Sequence, residues 1–195
     1  MGKIVAGFTM SLDGFIADAN DEVGRIMRWY FSGDAEIPVA DGAIVFKVSP
    51  ASAALLHERF TNTGAIVTGR RDFDVSKAWG GKSPLPAPIL IVTHRAPQEW
   101  AYAGSPFTFV TDGVVSAIEQ ARQVAGDKHI VVGSSTTVQQ ALQAGLLDEI
   151  EIDLVPILLG SGVRLFDHLG GPIDLEQTSV IVAKDVTHLR YTVVK

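Results

Sequence analysis

The stretch "HIVVGSSTTVQQALQAGLLDEIEIDLV", residues 129–155, decides the reading of the fold. "HIVVG" is an apolar run of strand length. "SSTTVQQALQAG" has helical spacing and closes on Gly145, and "EIEIDLV" opens a further strand. Strand and helix in such alternation mark an α/β domain with a mainly parallel sheet.

Upstream the alternation continues. "KIVAGFTMSL" reads as a buried first strand, and "SPASAALLHERF" as a helix with Ser49 as cap and Pro50 at the first helical position. "AIVTG", "ILIVT" and "FTFVT" are strands. "RRDFDVSKAW" is a short helical piece, and "GGKSPLPAP" a turn region. "DGVVSAIEQARQVAG" carries helical spacing through Val115, Ile118, Ala121, Arg122 and Val124 and closes on Gly126. Downstream, "LEQTSVIVAKD" and "THLRYTVVK" form an antiparallel pair around "KDVT". The expected architecture is a three-layer α/β sandwich: a mixed, mainly parallel sheet with antiparallel C-terminal strands, in one domain over residues 1–195. Residues 13–48 stand apart as a long loop-like segment, the kind that serves as a lid or stays disordered.

Composition narrows the function. The 195 residues are 47% hydrophobic and 19% charged, with a formal net charge of −6. No basic stripe interleaved with aromatics occurs, so a nucleic-acid partner is not expected. There is no cysteine, which removes disulfides, thiolate metal sites and cysteine nucleophiles together. No apolar run approaches the roughly 18–20 residues that span a bilayer. The expected protein is cytoplasmic and off the membrane.

Several strands end in residues suited to anions, at the sheet edge where open α/β sheets bind ligands. "TGRR" places Gly69, Arg70 and Arg71 where a strand meets a helix. Helical neighbours diverge by about 100°, so the two arginines divide their work: one meets an anion and the other pairs within the protein. "VTHR" offers Thr93, His94 and Arg95. "VVGSSTT" offers Gly133, Ser134, Ser135 and Thr136, more hydroxyls than helix capping needs. Asp13-Gly14 is a turn signal whose carboxylate also suits orienting a substrate or lid. In "MRWYF", Trp29, Tyr30 and Phe31 either cover a planar ligand or pack into the core. The dinucleotide G-x-G-x-x-G, the P-loop and the G-x-S-x-G elbow are all missing. The histidines lack metal-ligand spacing, so no metal is expected, and Asp148 and Glu149 read as solvated carboxylates at a strand start.

In order along the chain, "MSLDGFIA", "IVTGRRDFD", "IVVGSSTTVQQALQAGLLDEIEIDLVPILLGSG" and the "LF" at 165–166 resemble the dihydrofolate reductase-like superfamily, in its branch related to the reductase domain of riboflavin biosynthesis. The resemblance implies a central mixed sheet flanked by helices, NADPH as hydride donor, and a homodimer. It implies that Gly69, Arg70 and Arg71 form the cofactor-phosphate segment. Thr93, His94 and Arg95 would be the loop reading the adenosine 2′-phosphate. Gly133, Ser134, Ser135 and Thr136 would be the pyrophosphate loop, with Ser134 in place of a second glycine. Asp13 and Gly14 would lie near nicotinamide and substrate.

Two departures refine this. The only acid on "SPASAALLHERF" is Glu58, near its end, which speaks against folate reduction. A fused zinc deaminase needs a cysteine-bearing motif, and this chain has none. The expected activity is NADPH-dependent hydride transfer to a small heterocycle of pterin or pyrimidine type, with Asp13 or water delivering the proton. A non-catalytic nucleotide-binding module, acting as sensor or assembly partner, is the alternative.

Overall fold

The computed structural model describes residues 2–195. Its core is an eight-stranded sheet. In chain order the strands are β1 (Ile4–Ser11), β2 (Phe15–Ala17), β3 (Ala35–Val39), β4 (Ile44–Val48), β5 (Thr63–Gly69), β6 (Ile89–Val92), β7 (Phe107–Val110), β8 (His129–Val132), β9 (Glu149–Val155), β10 (Val163–Arg164), β11 (Leu175–Ala183) and β12 (Val186–Val193). The helices are α1 (Pro50–Asn62), α2 (Arg70–Val75), α3 (Gly113–Ala125) and α4 (Ser135–Gln143). The sheet runs β11-β12-β9-β1-β8-β5-β6-β7, parallel from β9 to β7 and antiparallel at β12 and β11. This is the mixed, mainly parallel sheet with an antiparallel C-terminal pair that the sequence predicts. Among the described residues no helix is long and apolar enough to cross a membrane.

Connection direction decides which helix covers which face. From β1 the chain moves toward β7 through α1 and α2; from β7 it returns through α3, and α4 carries it on to β9. Right-handed crossovers of opposite direction put their helices on opposite faces. The packing agrees. Val114, Ala117, Ile118 and Ala121 of α3 and Val138 and Ala141 of α4 cluster with Ile4, Ala6, Ile130, Val132, Ile150 and Ile152. On the other face, Leu56 of α1 packs with Trp29, Val48, Val155 and Val186, and Phe73 of α2 with Ile89, Ile91 and Phe107.

Three expectations change. The buried stripe of α3 is Val114, Ala117, Ile118, Ala121 and Ala125, while Val115 and Val124 are exposed. A one-residue offset rotates a helical face by about 100°, and the alanines, not the outer valines, fit close to the sheet. Residues 13–48 are not a structureless lid: they hold β2, a 3-10 turn at Ile26–Phe31 and the β3–β4 hairpin. Glu149 is not solvated; it is buried and pairs with Lys3.

Candidate active site

The three strand-end loops converge. The Gly69 N–H donates to Ser134 Oγ at 3.2 Å, and Ser134 Oγ hydrogen-bonds Thr137 Oγ1 at 2.8 Å. The Gly133 N–H donates to the Val67 carbonyl at 2.8 Å. A Cβ at Gly69 would lie 2.7 Å from Ser134 Oγ, so a side chain there would push aside the hydroxyl that ties the two loops together. Arg70 Nη1 donates to the Arg95 carbonyl at 3.1 Å, joining the β5 and β6 loops. Buried Thr93 fixes that loop: its Oγ1 donates to the Arg95 carbonyl at 3.0 Å, leaving the His94 and Arg95 side chains exposed.

Ser134 sits at φ 59° just before α4, and no side chain caps that helix. Its hydroxyl is committed to tying loops together instead. The first turn of α4 therefore presents uncapped N–H groups beside Gly133, a favourable setting for an anion.

Both arginines have protein partners. Arg70 Nε pairs with Asp74 at 2.8 Å, one helical turn on. Arg71 Nη2 reaches Asp21 at 2.6 Å, tying α2 to the loop after β2. One carboxylate also belongs to the cradle. Asp72 accepts from Thr68 Oγ1 at 2.7 Å, and its Oδ2 lies 3.7 Å from where a Cβ on Gly133 would be. Burial raises its pKa above the usual aspartate value.

Asp13 has a different employment from the one expected. Ser11 Oγ donates to its Oδ1 at 2.6 Å, and the N–H groups of Leu159 and Gly160 donate to its carboxylate at 3.1 and 2.7 Å. These donors, the Ser11 hydroxyl first, lower its pKa to about 2. A carboxyl that is ionised throughout the neutral range is a poor proton donor. It pins the 159–160 loop against the end of β1. Gly14 turns the chain there at φ 89° and offers its carbonyl to Leu165 N–H at 3.2 Å.

Trp29 is a core residue, 2% exposed, with Nε1 donating to Thr9 Oγ1 at 3.1 Å. Its neighbour Tyr30 lines a cavity of about 380 Å³ on the α1 face, with Gly7, Thr9, Val131, Leu56 and Phe60. The sequence "MRWYF" does not say which ring faces a ligand, and the structure buries Trp29 in the core and puts Tyr30 on the cavity. Burial, with the Asp153 charge adding to it, raises the Tyr30 pKa well above the usual tyrosine value, so the hydroxyl keeps its proton.

The floor of this cavity is a residue that sequence reasoning missed. Gly7 is solvent-exposed in β1, between β9 and β8 in the middle of the sheet, and a Cβ there would meet nothing within 4 Å. A glycine inside a strand pattern marks close approach by a ligand or another backbone. That signal was available in "KIVAGFTMSL". On β8, Val131 lines the same cavity, and Gly133 follows two residues later on the same side.

The cavity wall is charged. Glu149, Glu151 and Asp153 alternate on β9 and share its α1 face, while Ile150 and Ile152 face the core. Arg59 of α1 lies 2.6 Å from Glu151 and 2.9 Å from Asp153. Arg190 of β12 reaches Glu151 at 2.7 Å and Glu58 at 3.1 Å. Behind this row, His188 Nδ1 donates to Asp153 Oδ1 at 2.6 Å and its Nε2 meets Ser52 Oγ at 2.8 Å. Ser52 is fully buried, so this serine–histidine–aspartate chain offers no nucleophile to solvent and works as an internal brace.

Comparison with known proteins bears on this geometry. A protein ascribed to riboflavin biosynthesis from Shewanella sp. PV-4 superposes with TM-score 0.72 at 24% identity, covering 100% of both chains. The diaminohydroxyphosphoribosylaminopyrimidine deaminase/5-amino-6-(5-phosphoribosylamino)uracil reductase of Thermotoga maritima superposes with TM-score 0.64 at 13% identity; the match covers 99% of this chain and 57% of that one. Dihydrofolate reductase from Enterococcus faecalis, solved with NADP(H), superposes with TM-score 0.59 at 11% identity over 99% of this chain and 97% of its own. The fold is thus dihydrofolate reductase-like. The sequence model of the RibD C-terminal domain matches residues 2–189. With that match spanning nearly its whole length, the chain belongs to the RibD C-terminal domain family.

Proposed function

We propose that this chain is an NADPH-dependent reductase of a small pyrimidine- or pterin-like heterocycle, built as one reductase domain over residues 1–195. The observation that carries the reading is the open floor at Gly7 in a central strand, together with the cradle that Gly69, Gly133 and Ser134 form at the carboxyl ends of β5 and β8. Family membership supports the reductase class.

The donor set fits a phosphorylated dinucleotide. The uncapped start of α4, with Ser135 and Thr136, suits a pyrophosphate. Exposed His94 and Arg95 suit a 2′-phosphate, Arg95 through a bidentate fork. Arg70 braces the loop that presents them. When bound, NADPH supplies the hydride. The protein's own contribution is positioning: the bare backbone at Gly7 lets a planar ring lie flat, and Tyr30 and Phe60 close the sides. Tyr30 keeps its hydroxyl proton at the wall, where burial holds its pKa up. With Asp13 committed and ionised, the proton that accompanies the hydride comes from water.

A homodimer through the sheet edge belongs to the same proposal. β11 is a nine-residue edge strand whose Val180 and Val182 side chains are exposed, and an edge of that kind invites pairing.

Two measurements test the reading. Nicotinamide fluorescence on titration should show NADPH binding, tighter than NADH. Stopped-flow mixing with pterins, pyrimidines and carbonyl compounds should then show hydride transfer to at least one heterocycle. Binding without transfer to any acceptor would favour the inert nucleotide-binding module.

A further inference from the structure

We infer that the cleft over Gly7 takes a neutral or cationic heterocycle that carries no phosphate. The inference rests on the reductase reading for what the cleft does, and adds the charge class of its substrate. Among the described residues lining the cavity, the lysine and arginine side chains are Lys3, Arg59 and Arg190. Each is already matched: Lys3 with Glu149, Arg59 with Glu151 and Asp153, Arg190 with Glu151 and Glu58. Four carboxylates thus stand against three cations on one wall.

A phosphate monoester entering this cleft would have to displace a carboxylate from a guanidinium. Arg59 is nearly enclosed, and so are Glu151 and Asp153, so displacement would strand a buried charge. It would also bring like charges together with little water between them. The adjoining groove, which shares Phe60 and Leu85 with the cleft, adds Lys82 and His57 but also Asp41, and supplies no cationic cluster. An amino-heterocycle meets the opposite situation. Each carboxylate has about four acceptor sites, so those that hold the arginines keep capacity for ring N–H and amino groups. The Thermotoga relative is named for a substrate bearing a phosphoribosyl group; the wall of this chain selects against one.

The test is calorimetric, on the intact chain presaturated with NADP⁺ so that the cofactor cradle is filled. The titrants are 5-amino-6-(ribosylamino)uracil and its 5′-phosphate. The unphosphorylated compound is expected to bind at least about tenfold more tightly. In Glu58→Gln, which removes one carboxylate at the exposed rim, the gap is expected to narrow by about threefold or more, through tighter binding of the phosphate. Equal or tighter binding of the phosphate by the unaltered chain, binding of neither titrant, or an unchanged gap in the variant overturns the inference. Failure of the reductase reading shows separately, in the presaturation step, as no binding of NADP⁺.

Discussion

The two faces of the central sheet are made from the same strands and do opposite things. Ile4, Ala6, Ile130, Val132, Ile150 and Ile152 face α3 and α4 in a closed apolar layer. Their neighbours Val5, Gly7, Thr9, Val131, Glu149, Glu151 and Asp153 line the cavity on the α1 face. Alternation along a strand allows this. One face secures the sheet by burial, and the other uses that rigidity to hold charges and an empty floor in place. The difference shows where this protein spends stability and where it gains a site.

The comparison is broken most severely by removing a charge from the open face. Arg59→Ala leaves Glu151 and Asp153 without their shared cation, and is expected to cost about 3–5 kcal/mol. Chemical denaturation measures it. Ile152→Ala on the closed face is expected to cost a similar ~2–5 kcal/mol, by cavity formation. The two should separate in salt and pH dependence: the arginine variant responds to both, the isoleucine variant to neither.

Smaller changes sharpen the account of the cradle. Arg95→Ala should weaken NADPH by about 10-fold or more, the scale of one charge-assisted contact, while NADH changes little. Equal losses for the two would remove the 2′-phosphate assignment. Asp72→Asn should tighten NADPH by a few-fold, because it removes a carboxylate beside the pyrophosphate position. The pH trend follows from the raised pKa of Asp72: the acid is neutral at low pH, so NADPH affinity should fall as pH rises through that pKa. The variant should lose this limb of the affinity profile.

Asp13 gives the smallest effect and the opposite sign. Its folded pKa, about 2, lies below the ordinary value of 3.8. Its contribution to stability is therefore complete above 3.8 and is lost as pH falls toward 2. Asp13→Asn should flatten stability across that interval and leave neutral-pH turnover nearly unchanged. A large loss of turnover at neutral pH would restore Asp13 as a chemical participant.

Much of this was legible in the chain, for local reasons. Strand and helix alternation gave the layer order, and Ser49-Pro50 marked the start of α1, where Ser49 accepts from the Ser52 N–H. "TGRR", "VTHR" and "GSSTT" were each visible as strand ends. Their contact through Gly69 and Ser134 was not, because 65 residues separate the partners. The acidic alternation of "EIEID" was visible too. Its burial depended on Arg59 and Arg190, which only the sheet order and α1 bring to it. Trp29 and Tyr30 were interchangeable in sequence; the structure places Trp29 in the core, donating to Thr9, and Tyr30 at the cavity wall. Gly7 carried a local signal that went unread, since a glycine in a strand is informative only once the strand is known to be central.

Gly7→Val tests the central claim most directly. The position has open space and no positive φ, so the fold should tolerate a β-branched residue that strands favour. The measurement is NADPH consumption with the heterocycle panel, run beside thermal unfolding, for both proteins. The account predicts turnover by the unaltered chain, a loss of about 100-fold or more in the variant, and an unchanged or slightly higher melting temperature. Equal turnover by both proteins would contradict it.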